Sequence, residues 1–275
     1  MKITAQQVNE LRKSTGAGMM DCKKALVETE GDMEKAIDVL RKKGQKVAAK
    51  RADRDAAEGV VLSKVSDDKK YAAAVMINCE TDFVAKNADF IAYAQSIIDL
   101  AVANKAGNID VLKALPLTNR TVEESIMDQT GVIGEKIQLG RFEIAEGEST
   151  YAYIHPGNRI ATIAAFNKAG DALNDAGKDV VMQIAAMDPV ALDKDSVSDE
   201  MVKREIEIGM DQARQEGKPE AMLEKIAMGK LNKFYKENTL LNQAFIKDSK
   251  KNVSQYLQDV ENGLTIIDFK RLALA

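Results

Sequence analysis

The sequence contains few of the residues that carry metal-dependent or nucleophilic chemistry. Its 275 residues include one histidine, two cysteines and no tryptophan. A zinc centre needs several His or Cys ligands at close spacing, and a Ser-His-Asp triad needs a histidine beside its nucleophile. No pair of Cys or His has such spacing, so we expect no metal, no cofactor and no hydrolytic chemistry. Carboxylates that pair in a cleft leave acid–base catalysis as an open alternative.

Long apolar runs and an excess of one charge are missing as well. No stretch of about 18 uncharged apolar residues occurs, and the opening MKITAQQVNELRKS has no apolar signal-peptide core. We therefore expect a cytoplasmic protein without a membrane partner, in which Cys22 and Cys79 stay reduced. The 39 basic and 43 acidic side chains give a net charge of −4, so direct nucleic-acid binding by the whole molecule is not expected.

The residues that are present predict an ordered, helix-rich protein of two or three packed units. Hydrophobic residues make up 45% and charged residues 30%, with 4 Pro and 17 Gly. Residues 1–55 predict a small helical domain. The motif TAQQ at 4–7 is a capping box, a second helix fits 19–30, and Gly31-Asp32 ends that helix and caps a third. Three short helices form a bundle with a small core.

Residues 41–54 are the most strongly basic segment, with seven Lys or Arg against Asp53 alone. Such a run is the strongest hint of nucleic acid in the chain, and it supports an RNA-binding protein as the alternative function. Because no aromatic residue interleaves the charges to stack on bases, the other interpretation is a solvated helical linker.

Beyond the bundle, the apolar pattern changes between a period of two and a helical period. The segments that alternate like strands are 58–64, 71–78, 137–144, 151–155, 160–166 and 264–274. Helical spacing begins near Asn87, Leu173 and Val253, and a less regular stretch runs to about Gly131. Strands followed by a helix occur twice, which predicts an α+β fold with two related halves and antiparallel sheets. The predicted core N-subdomain is 56–139, and the core C-subdomain is 140–197, resuming at 238–275.

Residues 198–237 predict an inserted helical hairpin. Apolar residues step +4, +4, +3 along each helix, from Val202 to Ala213 and from Leu223 to Phe234. So narrow a stripe suits a single partner helix, as in an antiparallel coiled coil. Two ordinary core helices are the alternative.

Two motifs resemble the signatures of bacterial elongation factor Ts: TGAGMMDCKKAL at 15–26 and NCETDFVAK at 78–86. The order of segments agrees too, so the resemblance covers nearly the whole chain. It implies a UBA-like N-terminal domain, two α+β subdomains and a coiled-coil insertion. It also implies a factor without covalent chemistry of its own, which binds elongation factor Tu, the GTPase that delivers aminoacyl-tRNA, and speeds GDP release so that GTP can rebind.

The resemblance places the working tip in the loop Thr81-Asp82-Phe83-Val84, which would intrude near the Mg²⁺ and phosphate site of the partner. A rigid aromatic wedge can shift packed elements, and an acidic neighbour can hold polar groups of the partner in the shifted arrangement. Spacing alone favours an ordinary strand-to-helix junction, with Asp82 as a cap and Phe83 in the core. The resemblance favours the exposed tip.

The resemblance also nominates Leu11, Met19 and Met20 in the N-terminal domain as partner contacts. Adjacent methionines cannot both face one helical core, so one of them is a contact candidate, whereas core packing is the alternative for Leu11 and the other Met. His155, in a loop between predicted strands, is nominated for a contact with a second domain of the partner. A solvated bystander is its alternative.

One departure concerns the end of the chain. Many relatives continue past the final strand into an extra helix that contacts the GTPase, whereas this sequence stops at 268–275, so we expect that contact to be absent or replaced. The helical hairpin has a stripe long enough for a homodimer or a heterotetramer.

Overall fold

The computed structural model describes residues 3–274 and has the α+β fold that the sequence predicts. Its α-helices are α1 Ala5–Thr15, α2 Met19–Glu28, α3 Met33–Lys50, α4 Asp82–Ala85, α5 Ala88–Ala103, α6 Ile109–Ala114, α7 Val122–Ile133, α8 Leu173–Met187, α9 Asp199–Gln215, α10 Glu220–Asn238 and α11 Val253–Val260. Its strands are β1 Glu58–Val65, β2 Tyr71–Cys79, β3 Pro116–Leu117, β4 Arg120–Thr121, β5 Gln138–Glu146, β6 Ser149–Ile154, β7 Ile160–Phe166, β8 Ala244–Phe245, β9 Asp248–Asn252 and β10 Ile266–Ala273. Within residues 3–274, none of the helices has the length and apolar character needed to span a bilayer.

The described chain divides into two compact units. One holds residues 3–62, 75–143 and 273–274, and the other holds 63–74 and 144–272. The N-terminal helices and most of the first predicted α+β half therefore fall within one unit. The subdomain boundaries drawn from the sequence stay predictions.

The N-terminal helices begin where the sequence predicts, and α1 also ends there. The Thr4 hydroxyl accepts from the backbone N–H of Gln7 at 3.2 Å, the Gln7 side chain accepts from the N–H of Thr4 at 3.0 Å, and Asp32 caps α3. Gly16 ends α1 with φ +68°, a conformation that disfavours residues with a Cβ. The core beneath these helices is small and consists of Val8, Leu11, Ala17, Cys22, Ala25, Leu26 and Ala36.

Helix α3 is longer than predicted and includes most of the basic segment. It runs to Lys50, so the segment is helical, but one of its faces packs on α7. The crossing point is Gly44 against Gly131, where a Cβ on Gly131 would overlap the Gly44 backbone. The linker is thus solvated on one side only, because two glycines let the helices touch.

The first sheet has the order β1-β2-β5. The predicted hairpin of β1 and β2 is confirmed, as is α5, which is capped by Asn87. Strand β5 lies beside β2, so the strand predicted to open the second half belongs to the first sheet. The stretch predicted to be irregular contains α6, a short β3–β4 ladder and α7. Helix α7 opens with a Thr121–Glu124 capping box, a local signal that the sequence analysis did not use.

The second sheet has the order β10-β7-β6, and the return of the last strand to this sheet is confirmed. Strands β6 and β7 pair antiparallel, with Ser149 opposite Phe166 and Ile154 opposite Ala161. Helix α8 packs against both strands over an apolar core that includes Phe166, Val180 and Ile184. The sequence does not predict the β8–β9 ladder, because β8 has only two residues and β9 is polar.

Helices α9 and α10 form the predicted hairpin around the turn at Gly217. Ala213, Leu223, Ala227 and Leu231 are buried along the shared seam. A Cβ on Gly209 would lie 3.1 Å from the Cα of Ala227, so the two helices approach closely there. Assembly of copies or partners through the hairpin stays a prediction.

Candidate protein-docking site

The NCETDFVAK motif covers the end of β2 and a single helical turn, α4, which leads to α5. The Thr81 hydroxyl caps the turn by accepting from the N–H of Val84, and only Ala85 of the four helical residues is buried. Phe83 points outward and is 83% exposed. The alternative with Asp82 as the cap and Phe83 in the core is therefore wrong.

An aromatic ring in this position loses the stabilisation that burial would give, unless another molecule covers it. Burying a Phe side chain stabilises a fold by about 1.5–3 kcal/mol, and a chain that exposes Phe83 forgoes that gain. Phe83 is also more exposed than any other large hydrophobic side chain among the described residues. Its exposure makes Phe83 the candidate contact residue of this turn.

The Glu135 side chain holds the backbone just before the turn. Its carboxylate accepts from the N–H of Glu80 at 3.1 Å, the N–H of Thr81 at 3.0 Å and the Thr81 hydroxyl at 2.7 Å. Glu135 follows α7, so these bonds join the turn to a distant part of the chain.

The Glu80 side chain makes the reverse connection. It accepts from the N–H of Lys136 at 2.6 Å and from Nη1 of Arg51 at 2.7 and 2.8 Å. The Lys136 N–H and then the Arg51 guanidinium lower the pKa of the Glu80 carboxyl, since both favour its charged form. Arg51 is the C-cap of α3, so the basic segment supplies one of the contacts at the base of the turn.

Asp82 is paired within its own turn. Lys86 Nζ lies 2.6 Å from its carboxylate, and this contact lowers the pKa of Asp82. The pair is solvent-exposed, so the Asp82 carboxylate can exchange Lys86 for a polar group of a partner at little cost.

Cys79 is buried beside the turn and is not a nucleophile. Burial raises the pKa of its thiol to about 12, and the nearby Glu135 carboxylate adds to the rise. A thiol that stays protonated at neutral pH is unreactive. Across residues 3–274, no three His, Cys, Asp or Glu side chains converge as ligands of a metal ion.

A second exposed apolar surface lies on α2, in the same unit. Met19 and Met20 are 54% and 61% exposed. Val27 is 59% exposed, and its spacing of seven residues from Met20 places both on one side of the helix. Methionine adapts its shape to a partner, so this surface suits docking.

Comparisons with known proteins give one answer. A family model described as Elongation factor TS matches residues 80–275. Elongation factor Ts of Christiangramia forsetii is 52% identical over 273 residues, which is 99% of either chain. The proteins of that name from Cytophaga hutchinsonii and Porphyromonas gingivalis are 54% and 50% identical over 275 residues, and at least 99% of each chain is covered.

The chain belongs to the elongation factor Ts family. The predicted resemblance is thereby confirmed, and with it a role in translation elongation.

One residue nominated by resemblance to elongation factor Ts has a different position from the one expected. Leu11 has no exposed surface and lies in the small core of the bundle. It faces inward because α1 has one apolar stripe, which includes Val8, and that stripe is covered by α2 and α3. Leu11 therefore packs the bundle and does not form part of its surface, whereas Met19 and Met20 are both accessible.

His155 lies in the turn between β6 and β7 and is exposed. Its backbone N–H donates to Ile160 O at 2.9 Å, and its Nδ1 lies 3.0 Å from the Tyr153 hydroxyl. The tyrosine orients the ring and leaves Nε2 available to a partner. This position is compatible with a contact role.

The residues that sequence analysis missed are the supports of the tip: Glu80, Glu135 and Arg51. Glu80 stands inside the recognised motif, but its partners are 29 and 56 residues away along the chain. No local spacing connects such residues. A carboxylate next to a motif tip is the only signal in the sequence, and it is shared by many surface glutamates.

Proposed function

We propose that the protein is a nucleotide-exchange factor that binds elongation factor Tu with GDP and accelerates the release of GDP. The observation that carries this proposal is the fixed outward position of Phe83, a ring exposed at the tip of a braced turn. Family membership gives the role in elongation, and the resemblance gives the partner.

The turn would act as a wedge. A GTPase holds GDP largely through a phosphate-binding loop and Mg²⁺, which neutralises phosphate charge. Phe83 inserts between packed elements of the partner near that ion, and Asp82 leaves Lys86 to hold polar groups in the shifted arrangement. Disturbing the Mg²⁺ shell loosens the β-phosphate, so GDP leaves and GTP can bind.

The coupling must be reciprocal. If binding of this protein weakens GDP by some factor, GDP weakens binding of this protein by the same factor. The exchange factor therefore departs when nucleotide rebinds, and it needs no bond-making chemistry of its own.

Two further surfaces supply affinity in this proposal. Met19 and Met20 on α2 grip the GTPase domain of the partner, and His155 contacts a second domain. Both are accessible in the free protein. Neither surface needs to change shape when the partner exchanges its nucleotide. Both therefore contribute binding free energy, whereas the Phe83 turn displaces elements of the partner.

The test follows a fluorescent GDP as it leaves elongation factor Tu, with and without this protein. We expect strong acceleration by the parent chain and loss of most of it in the double variant Asp82→Ala, Phe83→Ala. Val111→Ala removes an exposed apolar side chain from α6 and serves as the matched control, with unchanged activity expected. No acceleration by the parent would remove the proposed function, and full activity of the double variant would remove the site.

A binding assay with single-stranded RNA tests the RNA-binding alternative. Binding through Lys46 and Lys50 of the basic segment would be measured as affinity for single-stranded RNA that falls steeply with salt and is indifferent to Phe83→Ala. We expect no such affinity at physiological salt.

A further inference from the structure

We propose that Glu135 and Glu80 are positioning residues for the exchange reaction: their carboxylates form a reciprocal clamp that holds the Phe83 turn in its docking orientation. This inference rests on the proposed exchange function. Below, the clamp means Glu80, Glu135 and the groups that they accept from.

The clamp is reciprocal because each carboxylate holds the backbone next to the other. Glu135 accepts from the N–H groups of Glu80 and Thr81, and Glu80 accepts from the N–H of Lys136. The segment before α4 and the segment before β5 are therefore joined by hydrogen bonds in both directions. Neither segment can shift along the other without breaking several bonds to an ionised group, which are the strong kind.

Two carboxylates in one place would repel each other without compensation. Arg51 supplies it by bonding both oxygens of Glu80, and the backbone N–H groups supply the rest. Lys136 adds a third anchor, because its Nζ donates to the carbonyls of Ala52 and Arg54 at 2.8 and 2.9 Å. The clamp thus ties the tip to the end of α3 and to the end of α7.

The tip needs such support because α4 has only four residues. An isolated helical turn is unstable, since nucleation fixes several residues for one hydrogen bond. Only Ala85 of α4 is buried, so apolar packing gives the turn little orientation. The orientation of Phe83 is therefore set by the cap residue Thr81, and Thr81 is held at both its N–H and its hydroxyl by Glu135.

The orientation of the Phe83 ring matters more for displacing elements of the partner than for binding to the partner. A wedge that is ordered before contact transmits its binding energy to the partner, whereas a mobile one loses that energy to its own ordering. Loosening the clamp should therefore lower the maximal exchange rate while the half-saturating concentration, set largely by α2, changes little.

The main experiment compares Glu135→Gln with the matched control Glu123→Gln, an exposed glutamate on α7. Gln keeps the size of the side chain but removes its negative charge and one of its two acceptor oxygens, so it cannot accept from both the backbone N–H groups and the Thr81 hydroxyl. The stimulated release of fluorescent GDP is measured over a range of exchange-factor concentrations. We expect the maximal rate of Glu135→Gln to fall by roughly tenfold or more, with a half-saturating concentration within about threefold of the parent. Equal maximal rates in the two variants would overturn the proposal.

A second readout does not depend on exchange. The chain has no tryptophan, so Phe83→Trp places a single indole at the tip. We expect its fluorescence anisotropy to fall when Glu135→Gln is added, while circular dichroism and the thermal midpoint stay close to those of the Phe83→Trp chain. If the parent protein does not accelerate GDP release, the exchange function fails, but this anisotropy still decides whether the clamp orders the tip. An unchanged anisotropy would refute the clamp.

A milder pair of variants covers the case in which Glu135→Gln does not fold. Thr81→Val removes only the hydroxyl that Glu135 and Val84 use, and Thr81→Ser keeps it. We expect the maximal exchange rate to fall in the Val variant and to be retained in the Ser variant. The same rate in both would count against the clamp.

Discussion

One unit of the molecule has two exposed apolar surfaces: the Phe83 turn, and the α2 face formed by Met19, Met20 and Val27. Different kinds of interaction hold them in place. The turn has almost no apolar packing of its own and is held by hydrogen bonds to Glu135 and by the Thr81 cap. The α2 face depends mainly on apolar packing, because its Met19 and Met20 project from a helix that lies on a small apolar core.

This difference matches two kinds of docking. Hydrogen bonds are directional, so they fix where a ring points, and the bonds at the turn depend on charge. Apolar packing is not directional, and flexible methionines adapt to the surface that they meet. We infer that the turn supplies geometry and that the α2 face supplies affinity.

The largest effect is expected from the core beneath α2. Leu26→Ala removes a fully buried side chain and should destabilise the bundle by about 2–5 kcal/mol, which is enough to unfold so small a core. The neighbouring Val27→Ala is the control, because Val27 is exposed and its loss should change stability by less than about 0.5 kcal/mol. Hydrogen exchange of α1–α3 measures both. Equal protection in the two variants would show that this core does not support the α2 face.

The next effect separates affinity from geometry. We expect Met20→Ala to raise the half-saturating concentration for stimulated GDP release by roughly five- to tenfold, with the maximal rate within about twofold. Phe83→Ala should instead lower the maximal rate and leave the half-saturating concentration nearly unchanged. Concentration series of the two variants test this, and the division of labour is wrong if both change the same parameter.

Acid should loosen the turn before the bundle core. The pKa of Glu80 is lowered in the folded chain, so its contribution to stability is present above its ordinary value of 4.5 and is lost as the pH falls through the lower folded pKa. In the Phe83→Trp chain we expect the anisotropy of the indole to decline below about pH 4.5. Adding Glu80→Gln should weaken that pH dependence, and the remainder would come from the Glu135 and Asp82 carboxylates. A decline that coincides with unfolding of the whole chain would contradict the prediction.

The smallest effect compares the two regions in the native state. Each has one buried cysteine, Cys22 under α2 and Cys79 at the base of the turn. Because the bundle core is small, we expect it to open more often and Cys22 to react faster with iodoacetamide. The pKa of Cys79, raised to about 12, slows that thiol further. Mass spectrometry after timed alkylation gives both rates, and a faster Cys79 would reverse the order of stability proposed here.

Local signals predicted much of the fold. The capping box at Thr4, the caps Asp32 and Asn87 and the stripe of the α9–α10 hairpin depend on residues within a few positions of each other, and the structure has all of them. Helix α7 was missed although its capping box is also local. The place of β5 in the first sheet was missed for a different reason, because strand pairing depends on partners far along the chain.

The candidate site divides in the same way. The NCETDFVAK motif led to the tip by resemblance, but spacing favoured a buried Phe83, and only the fold decides that the ring faces outward. Resemblance also nominated Leu11 as a partner contact, whereas packing of three helices leaves it without exposed area, as in the core alternative. A side chain is inside or outside only with respect to neighbours that the fold supplies.

The sequence by itself determined where helices start, which segments alternate like strands, how few His and Cys residues could bind a metal and, through two motifs, the family. The tertiary structure decided which apolar side chains face the solvent and which carboxylates support the tip. The physical reason is range. Caps and periodicity act over three or four residues, while the hydrogen bonds of the Glu135 and Glu80 carboxylates to each other's segments span 54 to 56 residues of chain. Only folding brings those groups within the 3 Å that a hydrogen bond requires.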